Sequence, residues 1–222
     1  MKIRFVLGTL ALVATAHVAS ASTNLLNNAS FEDPLRFDFA DLSNWNGFFG
    51  GPSGTFLQAF NDTGATPLSG DKALVTTIRG VAGTTEGFDA FTGHVQVVTG
   101  ITAGLEYELA VWARTNPLIT NGAEYRVEWQ NSSGTEISRT NVEIQSLLTA
   151  EYQRFAFSSF APAGATRAAI VVAVQSFVND GVIAETSVAW DDASFAVVPA
   201  PTSLGVLGLG ALVAGRRRRS RG

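Results

Sequence analysis

The sequence contains no cysteine, one methionine and two histidines, and only 15% of its 222 residues are charged. Without cysteine there can be no disulfide, no thiolate nucleophile and no Cys-ligated zinc. A domain of this size holds itself together by core burial, so the missing disulfides do not argue against an exported chain. His17 falls in an apolar N-terminal stretch, which leaves His94 alone. One histidine is too little material for a Ser–His–Asp triad or a histidine-rich metal site. Basic residues are scarce where a fold would lie. Of the 15 Lys and Arg, seven sit at the two ends, leaving 8 between residues 22 and 198 against all 19 Asp and Glu, a net charge of −11. That field repels phosphate backbones, so nucleic acid is not an expected partner.

The ends read as processing segments. Lys2 and Arg4 precede an apolar stretch over residues 5–14, and Ala19-Ser20-Ala21 supplies small residues for signal peptidase, which predicts a signal peptide over residues 1–21. At the other end, Pro199-Ala200-Pro201 stops any strand, because proline cannot donate to a ladder. Residues 204–215 are apolar and Gly-rich and run into Arg216, Arg217, Arg218 and Arg219. Such a stretch is marginal for crossing a hydrocarbon core of about 30 Å. The arginines would hold their end on the cytoplasmic side. This order resembles the PEP-CTERM sorting signal of bacteria, with Pro199, Pro201 and the arginine run as its marks. Ala200 stands where that motif usually has Glu. The resemblance implies an exosortase-like processing enzyme as a partner, transient membrane anchorage, and delivery to the cell envelope or extracellular matrix. A plain C-terminal membrane anchor is the alternative.

Between the ends the chain reads as strands over 24–32, 55–60, 72–79, 94–99, 105–114, 123–130, 135–144, 152–160, 167–177 and 186–197. They are short, rich in Val, Phe, Tyr, Trp and Thr, and separated by turn clusters such as Asn131-Ser132-Ser133-Gly134. About ten strands in roughly 175 residues predict an all-β fold, an antiparallel β-sandwich of jelly-roll type, flanked by a signal helix and a C-terminal hydrophobic helix. No repeat and no second domain is evident within 22–198. Alternation places Tyr125, Val127 and Trp129 on one face, opposite Glu124, Arg126, Glu128 and Gln130. Likewise Tyr107, Leu109, Val111 and Ala113 oppose Glu106, Glu108, Trp112 and Arg114.

The order of local phrases is also informative: Asn24-Leu25-Leu26-Asn27-Asn28-Ala29-Ser30-Phe31-Glu32, Trp45, Ser69-Gly70-Asp71-Lys72-Ala73-Leu74, Gly104-Leu105-Glu106-Tyr107, and finally Trp190-Asp191-Asp192-Ala193-Ser194-Phe195. Together they resemble the carbohydrate-binding modules of the family 4/9/22 type, galactose-binding-like jelly rolls. The resemblance implies one structural Ca2+ tying the opening segment to the last strand. Its ligands would be Glu32, Asp191 or Asp192, and the carbonyls around Gly70 and Lys72.

Sugars bind by stacking on flat aromatic rings and by planar hydrogen bonds. Trp112 with Arg126, Glu128, Gln130 and Gln175 would form such a surface across neighbouring strands. Trp45, Phe48 and Phe49 would supply a loop edge, with Gly47, Gly50 and Gly51 making that segment irregular. Burial of Trp45 and Trp112 in the core is the competing expectation, and Trp129 and Trp190 are assigned to the core. His94 is expected at the surface or across a strand pair. No acid lies in a phrase that suggests catalysis. Three functions remain, in order: an exported structural or adhesive envelope protein with weak polysaccharide contact, a dedicated carbohydrate-binding protein, and a small secreted glycoside hydrolase.

Overall fold

In a computed structural model of the chain, the structure describes residues 22–34, 44–51, 56–62, 66–79, 90–115, 122–176 and 186–199. The signal cleavage residues Ala19 and Ala21, the sorting residues Pro201 and Arg216 to Arg219, and both expected terminal helices lie outside them. Among the described residues, no helix is long and apolar enough to cross a membrane.

Ser22–Val198 form one compact unit. Its strands are β1 (Asn46–Gly50), β2 (Phe56–Asp62), β3 (Ala73–Arg79), β4 (Ala90–Thr99), β5 (Glu106–Thr115), β6 (Gly122–Gln130), β7 (Glu136–Glu143), β8 (Gln153–Phe160), β9 (Arg167–Ser176) and β10 (Thr186–Val197). They form two antiparallel five-stranded sheets, ordered β1-β4-β9-β6-β7 and β2-β3-β10-β5-β8. This is the expected β-sandwich jelly roll.

The core is filled by the inward face of each sheet. Tyr125, Val127 and Trp129 of β6 meet Tyr107, Leu109 and Val111 of β5 across the sandwich, and all are buried. Tyr107 stacks on Phe195 at 5.2 Å and lies 5.6 Å from Trp129, an aromatic cluster between the sheets. Burial at the protein's centre raises the Tyr125 hydroxyl to about 12. Trp190 is also fully buried and donates its indole N–H to Thr76 Oγ1 at 2.8 Å, which satisfies its one polar group.

Two expectations fail, each for a local reason. Residues 24–32 are not a strand: Asn28 and Phe31 take positive φ (45° and 57°), so the segment turns. It is fastened to other elements instead. Leu25 N–H donates to Phe195 O and Ala193 N–H to Ala29 O. The buried Gln96 side chain pairs with Asn27, accepting from its N–H at 2.8 Å and donating to its carbonyl at 2.9 Å. Conversely, residues 46–50, expected to be irregular, form edge strand β1 on β4. The glycines suit close packing there, because Gly50 and Gly93 sit beneath aromatic rings.

β10 carries a bulge between Asp191 and Ser194, where its register to β5 shifts. Asp192 takes φ 42° at that point. The bulge lets both consecutive acids reach one loop, Asp191 accepting from the Leu68 and Ser69 N–H groups and Asp192 from Ser69 Oγ.

Candidate functional site

The outward face of the β1-β4-β9-β6-β7 sheet is the best-defined candidate. Strand registers place its side chains in rows. One row runs Phe48, Gly93, Ala173, Glu124, Glu143, and the next runs Asn46, Val95, Val171, Arg126, Asn141. On either side lie the rows Gly50, Phe91, Gln175, Gly122 and Val97, Ala169, Glu128, Arg139. The middle of the face is therefore made of small side chains. An aromatic flank stands on β1 and β4, and a charged flank on β6 and β7.

The aromatic flank depends on two glycines. A Cβ at Gly50 would sit 2.5–3.1 Å from three atoms of the Phe91 ring, and one at Gly93 would sit 2.9 Å from Phe48 Cζ. Each ring thus covers bare backbone. The ring centroids are 6.2 Å apart and tilted by 41°, within the usual range for an aromatic pair.

The charged flank is internally paired. Arg126 Nη1 bonds Glu124 Oε1, and Arg126 Nε donates to Glu128 Oε1 at 2.7 Å. Arg139 bonds Glu136 and lies 3.7 Å from Glu128. Arg139 holds the Glu136 carboxyl below its ordinary range. Glu143 is placed differently. It accepts an amide hydrogen bond from Gln175 Nε2 at 3.1 Å. Partial burial, then the neighbouring Glu124 carboxylate, push its carboxyl above the ordinary glutamate value.

The sequence-predicted sugar residues are divided by this geometry. Arg126, Glu128, Gln130 and Gln175 do share this face. Trp112 does not. It lies on the outward face of the other sheet, opposite Arg154 on β8 and Asp191 on β10. β5 and β6 follow each other in sequence but belong to different sheets, so the sandwich separates Trp112 from the rest. Trp45 is removed as a stacking platform as well. It is fully buried, packs 5.2 Å from Phe31 and donates to the Asn27 and Asn28 carbonyls. Phe49 is exposed at the β1 edge. His94, expected at the surface or across a strand pair, is fully buried on the inward side of β4, between Gly47 and Val172 on the flanking strands, with Thr92 and Gln96. Sequence reasoning missed Phe91, Glu124 and Glu143 as parts of the site. Alternation could have found Glu124, since it shares a face with Arg126.

The expected Ca2+ ligands fall into two separate clasps. Glu32 lies over Gly70, whose φ is 64°, and accepts from the N–H groups of Asp71 and Lys72 at 3.1 and 3.2 Å. Lys72 Nζ donates to the Glu32 carbonyl at 2.7 Å. Asp191 is fully buried and its Oδ2 accepts from Leu68 and Ser69 N–H at 2.8 and 3.2 Å, while Asp192 Oδ1 accepts from Ser69 Oγ. Burial raises the Asp191 carboxyl above its ordinary value despite those donors. Carboxylates that face N–H groups, with an ammonium on the adjoining carbonyl, do not fit a hard cation that needs six or more oxygens. Among the described residues, no three His, Asp or Glu gather as a metal group.

Fold and face together define a jelly-roll sandwich with one decorated sheet surface. No protein-family model matches the chain, and no curated protein matches its sequence. Solved structures do share its fold. The enzymatically active domain of bacteriophage CBA120 tailspike protein 4 matches with a TM-score of 0.55 at 19% identity, over 79% of this chain and 21% of that one. The chain therefore spans about a fifth of that protein, and the likeness is one of fold. Carbohydrate-binding modules are also among the similar structures. The CBM22-1 xylan-binding domain of Paenibacillus barcinonensis Xyn10C matches at 15% identity and TM-score 0.48, over 82% of this chain and 99% of that one. A family 4 module matches at 19% identity and TM-score 0.47, over 78% and 99%.

Proposed function

We propose that this protein is an exported, non-catalytic jelly-roll component of the cell envelope or extracellular matrix that contacts polysaccharide through the outward face of the β1-β4-β9-β6-β7 sheet. The observation that supports contact is the pairing on one face of two phenylalanine rings laid over glycine with planar amide, carboxylate and guanidinium groups. Apolar sugar faces stack on rings, and hydroxyls pair with planar polar groups, so the combination suits a saccharide. Ala169, Val171 and Ala173 are already buried, so a glycan would lie against the two flanks. Export rests on the residues at the two ends, Lys2 to Ala21 and Pro199 to Arg219. Cell fractionation, with mass measurement of the mature chain, tests that half of the reading.

Binding is tested by affinity electrophoresis of the full-length chain through gels carrying soluble polysaccharides. Retardation is expected, and Phe48→Ala should abolish it while far-UV circular dichroism stays unchanged. Trp112→Ala should leave it intact, because Trp112 is on the opposite sheet. Retardation that depends on Trp112 and not on Phe48 would move the site to the other face. A saturable interaction with one glycan would instead favour a dedicated carbohydrate-binding protein.

A further inference from the structure

One end of the sandwich differs from the rest of the domain in charge. Three loops meet there, 100–105 between β4 and β5, 131–135 between β6 and β7, and 161–166 between β8 and β9. They are tied to one another and to the strands, with Ile101 N–H donating to Thr166 O, Gly104 N–H to Ala161 O and Thr166 N–H to Gln130 O. None of the three carries a charged side chain, although residues 22–198 hold 8 basic and 19 acidic residues. Apolar side chains stand out at the same end. Phe160 is 65% exposed, Leu105 42% and Ile137 41%. Ala161 N–H donates to Leu105 O, which sets Leu105 beside Phe160. Ile137 Cδ1 would lie 3.8 Å from a Cβ at Gly164 in the 161–166 loop. Large apolar side chains grouped on a surface mark a place of interaction.

The chain also leaves the fold at this end. Val197 pairs with Tyr107, and Val198 N–H donates to Glu106 O. Glu106 is in turn the cross-strand partner of Phe160. Five residues, 199–203, then precede the apolar stretch 204–215. Fully extended, five residues span at most about 18 Å. The headgroup zone of a bilayer is about 5–8 Å deep on each side. With the apolar stretch lodged in a membrane, so short a tether keeps the Phe160 end of the sandwich close to the headgroups.

We infer that Phe160, Leu105 and Ile137, with the 161–166 loop, form a docking surface for a lipid bilayer, on which the sandwich rests while its tail is anchored. The inference rests on the membrane-anchoring reading of the tail and extends membrane contact to the folded domain. Entry of these side chains into the interfacial zone removes apolar surface from water, which is the driving force for such contact. The charged residues at the strand ends here are Glu106, Glu136 and Arg167, one cation against two acids. Anionic lipid attracts clusters of Lys and Arg, and this end has none. The partner it fits is therefore a zwitterionic bilayer.

The absence of cysteine makes the test direct, because one introduced thiol is the only one in the chain. Phe160→Cys, Leu105→Cys and Glu151→Cys are each labelled with an environment-sensitive fluorophore in the full-length chain, which is then mixed with phosphatidylcholine vesicles and floated on a density gradient. Glu151 precedes the opposite end of β8, whose eight residues span roughly 24–27 Å. Labels at 160 and 105 should shift to the blue on vesicles and be quenched by nitroxide-bearing lipid, while the label at 151 stays in water. A chain that floats with the vesicles while position 160 stays in water overturns the docking surface and spares the anchor. A chain that does not float removes both. Shielding of position 160 before lipid is added puts a second copy of the chain on the patch, and a shift seen only with anionic lipid contradicts the charge argument; either overturns the assignment.

Discussion

Gly93→Ala is the substitution that reports most directly on the decorated face. Gly93 lies on β4, next to the edge strand β1, paired with Phe48 on one side and Ala173 on the other. A Cβ there would overlap the Val172 carbonyl oxygen and stand 2.9 Å from both Ala173 Cβ and Phe48 Cζ. The ring tip can swing aside, but a carbonyl in the middle of a ladder cannot. Overpacking of this kind costs about 1–3 kcal/mol. Alanine is preferred to glycine within a strand by about 0.5–1 kcal/mol, which offsets part of that loss. The net expectation is destabilisation by about 1–2 kcal/mol. For a chain of this size that is a fall in Tm of about 2–8 °C. Thermal unfolding followed by circular dichroism measures it. Gly104→Ala serves as a contrast, because nothing lies within 4 Å of its Cβ position and only its φ of 84° opposes the change. Polysaccharide retardation should weaken in Gly93→Ala alone, since only there is Phe48 displaced. A Tm equal to or above that of the unaltered chain would refute the close approach, and with it the account of how Phe48 is laid on the sheet.

Three further outcomes follow from the clasps and the carboxylate pair. Asp191→Asn should cost about 2 kcal/mol in urea unfolding, because an amide keeps one acceptor where the carboxylate serves the N–H groups of Leu68, Ser69 and Asp192; an unchanged midpoint would show those bonds to be idle. Because Glu32 and Asp191 are satisfied by N–H groups, EDTA should leave Tm unaltered, and a Ca2+-dependent rise of more than about 3 °C, near 1 kcal/mol, would restore the metal site. Glu143 titrates above its ordinary value in the folded chain, so the folded state binds the proton more tightly than the unfolded one. Its charge then opposes folding at neutral pH, and the opposition fades as pH falls through the raised folded value toward the ordinary one. Glu143→Gln should therefore melt higher than the unaltered chain at pH 7, with the gap closing in acid; a gap constant with pH would contradict this.

Most of the strands were legible because β5 and β6 alternate cleanly, and residues such as Tyr125 and Trp129 announce an inward face. β4 was legible as a strand but not in its facing. Its inward row is Thr92, His94 and Gln96, polar residues that local pattern sends outward. Gln96 is satisfied there by the Asn27 backbone, a partner 69 positions away in sequence. β9 gave no facing at all, since Ala168 to Val174 is buried on both sides. The site was half legible. Arg126, Glu128, Gln130 and Gln175 were found, but Trp112 was joined to them because consecutive strands were taken as neighbours. Sheet order is decided by crossovers between the layers, which leave no local mark. Phe91 and Gly93 escaped for a related reason, because their value comes from Gly50 and Phe48 on a strand far away in sequence.

The position of β10 has a mechanical consequence. It runs up the middle of its sheet, hydrogen-bonded to β3 on one edge and β5 on the other, and leads directly into Pro199. The opening segment at Asn24 and Leu25 grips the same strand near its end. A pull arriving through the residues that follow Pro199 therefore loads a strand that is gripped on both edges. No border strand is available there to peel away one bond at a time. Many bonds must give together, and tension on the tail is shared by the whole β2-β3-β10-β5-β8 sheet.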